Sequence, residues 1–203
     1  SWDQEPFSSL LIIGGGVIGV EFAGIWQAFG TKVTILEALP SLIANMDKEL
    51  GQSLKISLKK KGADIHTSAK VQSLESTDEG ILCTYIEKDT VCTCTAQAVL
   101  IATGRKPYTE GLFADNLAPS MERGRILTDE HFQTSIPSIY AIGDVNGKLQ
   151  LAHAATAQGF HAVHHIAAAR STADFEQSVS SVEDPILDLV PSCIYTSPEI
   201  ASV

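Results

Sequence analysis

The sequence predicts an α/β fold, built on a parallel sheet and extended by an antiparallel β-meander. Three observations predict it. Leu10-Leu11-Ile12-Ile13 is an apolar run suited to a strand covered on both faces, and Gly14, Gly16 and Gly19 follow it as G-x-G-x-x-G. A helical stretch ending at Gly30 then leads into Lys32 to Glu37, rich in the β-branched Val33, Thr34 and Ile35, completing β-α-β. Three strand-like runs after His66 are separated only by turn residues.

Each element has a local reason. Gly14 permits a tight turn, Gly16 lets a pyrophosphate approach the backbone, and Gly19 lets the helix sit close to the strand. The helix start offers free N–H groups and a dipole that favours phosphate. Ile18, Phe22, Ile25 and Phe29 recur at helical spacing and are expected to face the sheet, with Gly30 as the cap. Glu37 ends the second strand 18 residues past Gly19, where a carboxylate can accept hydrogen bonds from an adenosine ribose. It would repel a 2′-phosphate, and Ala38 to Asn45 carries no basic residue, so NAD is expected and not NADP. Asp47 is expected to cap a second helix with the stripe Leu50, Leu54, Leu58, ending at Lys59-Lys60-Lys61-Gly62.

A short strand, Ala63 to His66, comes next. The meander is expected over Lys70–Leu74, Gly80–Ile86 and Val91–Thr95, then a buried strand at Ala98–Ala102. Tyr108 to Arg125 reads as loop. Ile126–Leu127 and Ser138–Ile142 read as short strands, the second presenting Gly143-Asp144 at its end. A helix is expected from Ala152 to Arg170, a polar surface connection over Ser171–Leu189, and a last strand at Ser192–Thr196.

Composition narrows the function classes. With 44% hydrophobic and 19% charged residues, the chain can build a core and is not of the disordered class. A net charge of −10 argues against nucleic-acid or anionic-membrane partners. No apolar run reaches the roughly 20 residues of a membrane span. Cys83, Cys92, Cys94 and Cys193 form no C-x-x-C pair, so a zinc site is not expected, and free thiols of this kind suit a reducing, cytoplasmic compartment. Cys92 and Cys94 would share one face of a strand. His161, His164 and His165 are expected to pack or face solvent, with no metal role. Without an initiator Met, and stopping within a segment at Val203, the chain is expected to be a fragment.

Several ordered motifs together resemble the disulfide-linked flavoprotein reductases (the pyridine nucleotide-disulfide oxidoreductases), within them the dihydrolipoamide dehydrogenase branch. They are Ile13–Phe22; Ala102-Thr103-Gly104-Arg105-Lys106-Pro107; Phe132-Gln133-Thr134 with Ile136-Pro137; Ile139–Val145; Leu151-Ala152-His153; and Tyr195-Thr196-Ser197-Pro198-Glu199-Ile200-Ala201. Tyr108 departs from the Asn found after this proline in many relatives. The resemblance implies an NAD-binding domain over 1–104, the C-terminal half of an FAD-binding domain over 105–190, and the start of an interface (dimerisation) domain over 191–203.

By the same resemblance, Gly14, Gly15, Gly16, Val17, Ile18, Gly19, Val20 and Glu21 hold the pyrophosphate and nicotinamide side of NAD. Glu21 is expected on the first helical turn, its side chain beside the nicotinamide. Glu37 takes the ribose, Val71 contacts the adenine, and Gly104 passes the nicotinamide. Asp144 would accept from the FAD ribityl chain, and Gln150, Leu151, Ala152 and His153 would place a helix N-terminus at the flavin, His153 being positional. No catalytic residue is expected inside the chain. The redox disulfide, the first glycine fingerprint and the acid/base His–Glu pair of such enzymes have no counterpart in it. The parent implied is a homodimer that oxidises dihydrolipoamide, carried by 2-oxo acid dehydrogenase or glycine cleavage complexes, through disulfide and FAD to NAD. The alternative is a sibling reductase for glutathione, mercuric ion or peroxide. Alone, the chain is expected to bind nucleotide without lipoamide activity.

Overall fold

The computed structural model describes residues 6–114, 116–170 and 189–203, except for the side chain of Arg170. It divides into two compact units: Ser1–Gly104 with Cys193–Ser202, and Arg105–Ser192 with Val203.

The first unit runs β1 (Ser9–Ile13), α1 (Val17–Ala28), β2 (Lys32–Glu37), α2 (Lys48–Lys60), β3 (Asp64–Thr67), β4 (Ala69–Thr77), β5 (Gly80–Glu87), β6 (Thr90–Ala96) and β7 (Ala98–Ile101). A parallel sheet of order β3-β2-β1-β7 forms, with Leu10 level with Val33 and Ala98. The meander β4-β5-β6 is antiparallel, as the turn signals predict. Alternation along β1 explains why Leu10–Ile13 is apolar throughout. Leu10 and Ile12 join the core that includes Val20, Ala23, Val33, Ile35, Leu54 and Leu58, while Leu11 joins Leu36, Cys83 and Tyr85 under the meander. Cys83 faces Cys94, and Tyr85 faces Cys92, on the inner side of the β5–β6 pair. All four cysteines are free.

Four expectations need correction. Ile18, Phe22, Ile25 and Phe29 do not face the sheet; they are 39%, 40%, 48% and 63% exposed. The buried face of α1 is Gly19, Val20 and Ala23, with Trp26 packed beside it. Two stripes share the helical period, and size decides between them. The backbone of α1 comes so close to β1 that a Cβ on Gly19 would overlap the Gly14 carbonyl oxygen, so the bulky stripe must turn away. Glu21 is not in the first turn, because α1 begins at Val17 and Glu21 is its fifth residue. Its charge therefore lies past the reach of the helix-end dipole. Asp47 sits at the N-cap of α2, but its side chain makes no cap bond; its carbonyl instead accepts from Leu50 and Gly51.

The fourth correction falls in the second unit. No strand forms over Ser138–Ile142, where only an isolated bridge joins Gln133 to Tyr140. The unit instead holds β8 (Met121–Glu122) paired with β9 (Arg125–Ile126), a 3-10 turn at Gly143–Asn146, and α3 (Ala152–Arg170). The connection expected over 171–188 lies outside the described residues. β10 (Ser192–Ile194) and β11 (Ile200–Ser202) pair with each other. Ile194 is fully buried in the main core of the first unit, joined by Ile200. Ser57 Oγ and Lys61 Nζ, at the end of α2, donate to the Ser197 carbonyl at 3.0 and 2.8 Å. Among the described residues no helix is long and apolar enough to cross a membrane.

Candidate functional site

The site is built where β1 turns into α1. Gly14 has φ +109°, and a Cβ there would overlap the Ala102 carbonyl, so the turn needs glycine on both counts. Gly16 is different. It is the N-cap of α1 in extended conformation, and a Cβ added to it would meet nothing within 4 Å. Two of the three fingerprint glycines thus serve packing, and the third faces open space at a helix N-terminus. The amides sort the same way. Gly14 N–H donates to the Leu36 carbonyl at 2.9 Å, and the Gly15 carbonyl accepts from Ile43 at 2.8 Å. The amides left without a backbone partner here are those of the first helical turn, which have no intrahelical acceptor and could receive an anion. An unshielded helix N-terminus beside a cleared backbone fits a pyrophosphate.

Glu37, at the end of β2, is fastened across this turn. Its carboxylate accepts from Gly15 N–H at 2.5 Å and from Leu39 N–H at 2.6 Å. Each oxygen uses one lone pair and keeps another for an incoming hydroxyl. The carboxylate is thus oriented by two backbone N–H groups, against Gly15 of the turn. A cleft of about 750 Å³ between Pro40–Leu42 and α2 shares Leu42 with this region but none of Gly14, Gly15, Gly16 and Gly19.

Glu21, on the second turn of α1, accepts from Tyr195 N–H at 2.8 Å. This contact links residues 174 apart in sequence, and no local signal could reveal it. Val71 is half-buried at a register shift in β4 and packs against the cluster of Leu11, Leu36 and Tyr85. Gly104 has φ +106° in open surroundings.

The second unit presents Asp144 in its 3-10 turn, 3.6 Å from Arg105, both side chains largely exposed. Two buried residues that the sequence reading missed hold this turn. Gln158 of α3 accepts from the Gly143 N–H at 2.8 Å and from Asn146 Nδ2 at 2.9 Å, and Asn146 Nδ2 also donates to the Ala141 carbonyl. Their only sequence signal is a pair of amides twelve residues apart. The turn sets out Asp144 with its side chain exposed beside Arg105, which fits a polyhydroxyl chain. Gln150 and Leu151 lead into α3, whose first residue is Ala152. The His153 ring Nε2–H donates to the Pro191 carbonyl at 2.6 Å, so that histidine ties backbone. His131, His161 and His165 stack, the His131–His165 rings 4.1 Å apart, and Tyr140 meets His165 at 3.0 Å. Among the described residues no group of three or more His, Cys, Asp or Glu side chains is arranged to hold a metal ion.

Residues 2–159 match the pyridine nucleotide-disulphide oxidoreductase family. The chain belongs to that family. Among curated relatives, dihydrolipoyl dehydrogenases from Bacillus subtilis and Chlorobaculum tepidum are 39% and 36% identical over 98% of the chain. The chain spans 40% of the length of these two relatives. Among solved structures, LpdA from Mycobacterium tuberculosis superposes with a TM-score of 0.80 at 28% identity, over 97% of this chain and 40% of that one. The Cu(II) complex of RclA, an HOCl-induced flavoprotein disulfide reductase from Escherichia coli, gives 0.77 at 28%, over 97% and 42%. The α/β fold of a flavoprotein disulfide oxidoreductase, read from the motifs, is the fold found.

Proposed function

We propose that the chain is the NAD-holding portion, with part of the FAD site, of a dihydrolipoamide dehydrogenase. The observation that carries the reading is the Glu37 carboxylate, held by two backbone N–H groups beside the open N-terminus of α1. Gly16, Val17 and Ile18 would receive the pyrophosphate on their amides, with Gly14, Gly15, Gly19 and Val20 shaping the turn. Glu37 would take the adenosine ribose and exclude a 2′-phosphate, since no basic residue stands in Ala38–Asn45. Val71 would border the adenine. Glu21 and Gly104 would border the nicotinamide.

In the second unit, Asp144 would bind the ribityl hydroxyls of FAD, while Gln150, Leu151, Ala152 and His153 would direct the start of α3 toward the ring. When bound, FAD would relay electrons between a substrate thiol pair and NAD. This chain's residues would hold and orient, and none would carry a proton in the reaction. The parent would be a homodimer serving lipoyl-bearing 2-oxo acid dehydrogenase or glycine cleavage complexes in the cytoplasm. The chain alone would bind NADH and lack lipoamide activity. An NAD-dependent dihydrolipoamide oxidation assay on the intact parent tests the assignment. Absence of turnover in a preparation with bound FAD and an intact disulfide would sink it. A second reading, a sibling reductase, draws on the likeness to RclA, an HOCl-induced flavoprotein disulfide reductase. Turnover with another disulfide or metal substrate and none with dihydrolipoamide would favour it.

A further inference from the structure

Two thiols face each other across the meander. Cys83 of β5 and Cys94 of β6 are directly paired in the antiparallel register. Both side chains lie on the inner face, packed with Leu11, Leu36 and Tyr85. Each is a side-chain hydrogen-bond partner of the other. Cys83 is fully buried, while Cys94 is half-buried. Neither is among the residues assigned to NAD or FAD.

Geometry picks this pair out from the other cysteines. Opposed residues of an antiparallel pair stand about 4.5 or 5.5 Å apart at Cα, and a disulfide spans about 4.4–6.8 Å. Their Cβ atoms are about 4.5–5.5 Å apart, within about 1 Å of the roughly 3.5–4.5 Å that a disulfide holds. β6 is an edge strand, paired with β5 alone in the three-stranded sheet, so this small approach is not opposed from its other side. Cys92 faces Tyr85 instead. It lies diagonal to Cys83, about 7–8 Å away, and about 6.6 Å along the strand from Cys94. Cys193 belongs to β10, outside the meander.

The two sulfurs differ in what they can do. Burial pushes the Cys83 thiol up to about 11, and the nearby Cys94 adds to the rise. Burial raises Cys94 as well, but the hydrogen bond with Cys83 works the other way and eases its ionisation. Cys94 is therefore the thiol that ionises first, and it is also the one a small solute reaches. Near neutral pH both stay protonated, which spares the pair from weak oxidants.

We propose that Cys83 and Cys94 form a redox-active pair, which a hydroperoxide closes into a cross-strand disulfide. The Cys94 thiolate attacks one peroxide oxygen and the O–O bond breaks. With hydrogen peroxide the departing hydroxide takes up the proton that Cys94 released and leaves as water, and Cys94 becomes a sulfenic acid. The Cys83 sulfur then displaces the sulfenic hydroxyl, which leaves as a second water with the Cys83 proton. The two thiols lose two electrons, and the peroxide gains them. Two equivalents of a small thiol reverse the step.

The test treats the full chain, carrying Cys193→Ser to prevent links between copies, with hydrogen peroxide. Alkylation and tandem mass spectrometry then read the products. The folded chain should lose two hydrogens and yield one linked pair, Cys83 with Cys94. Adding Cys92→Ser should leave that link in place, and adding Cys94→Ser should abolish it, with circular dichroism confirming the fold of both. In urea the links should spread over all three meander cysteines. The rate should rise about tenfold per pH unit from about pH 6 to 8, as the thiolate fraction grows. A link to Cys92 in the folded chain, Cys94 carried on to sulfinic acid without a link, or both thiols unreacted in excess peroxide would overturn the proposal. So would a link that survives Cys94→Ser, the same single link in urea, or a rate flat in pH.

Discussion

Alanine at Gly16 and alanine at Gly19 should fail in different ways. Gly16 has φ −75° and ψ −175°, which alanine adopts freely, and its Cβ would meet no atom within 4 Å. The substitution removes only the N-cap advantage of glycine, about 0.5–1 kcal/mol. That leaves a domain of ordinary stability, about 5–15 kcal/mol, folded. The added methyl does, however, stand where the pyrophosphate would come down on the helix start. NADH affinity should fall at least about tenfold, or ~1.4 kcal/mol. Gly19 is the opposite case. Its Cβ would overlap a backbone oxygen, which cannot swing aside, so α1 must move off β1. Overpacking of this kind costs about 1–3 kcal/mol or more. Urea denaturation followed by circular dichroism reads the second effect, and calorimetric titration with NADH reads the first. Gly16→Ala binding NADH as tightly as the parent chain would refute the phosphate assignment. Gly19→Ala unfolding at the parent midpoint would refute the close-packing argument.

Three further outcomes are expected. Ile194→Ala empties a fully buried position in the main core and should cost about 2–5 kcal/mol; an unchanged urea midpoint would show that Cys193–Ser202 is not part of this unit. Burial of His66 disfavours its charged form, but hydrogen bonds and charges from Glu87 and Asp64 outweigh this and raise its pKa. Its contribution is full below about pH 6.5, the unfolded value, and is lost as pH rises through the raised folded value. Stability should therefore decline across that window, and a His66→Gln chain that declines equally would contradict the assignment. Burial, then the nearby Cys94, pushes the Cys83 thiol up to about 11. Iodoacetamide near neutral pH should modify exposed Cys193 well before Cys83. Mass spectrometry showing Cys83 modified first would contradict it.

The local features were legible because local chemistry decides them. Gly14, Gly30 and the Lys88-Asp89 turn each take positive φ where the sequence puts turn residues. The parallel pairing of the first two strands could be read because a glycine fingerprint after an apolar strand, followed by a β-branched run, leaves few topologies. The face of α1 was misread because Ile18-Phe22-Ile25-Phe29 and Gly19-Ala23-Trp26 share one period. Hydrophobicity favours the first stripe; the clearance between helix and sheet favours the second, and clearance wins. Asn146 with Gln158, and Ile194 in the core, depend on partners far along the chain, where no periodic signal reaches. At the site, the sequence placed Glu37 at its strand end. The hydrogen bond from Gly15 that orients it became visible only with the fold.

The central claim is that the Gly14–Glu37 region is an NAD site. Calorimetric titration of the chain with NADH and, separately, NADPH tests it most directly, with circular dichroism confirming the fold. The account predicts saturable NADH binding, with NADPH at least about tenfold weaker because Glu37 faces its 2′-phosphate. A well-folded chain that binds neither, or that prefers NADPH, would contradict it.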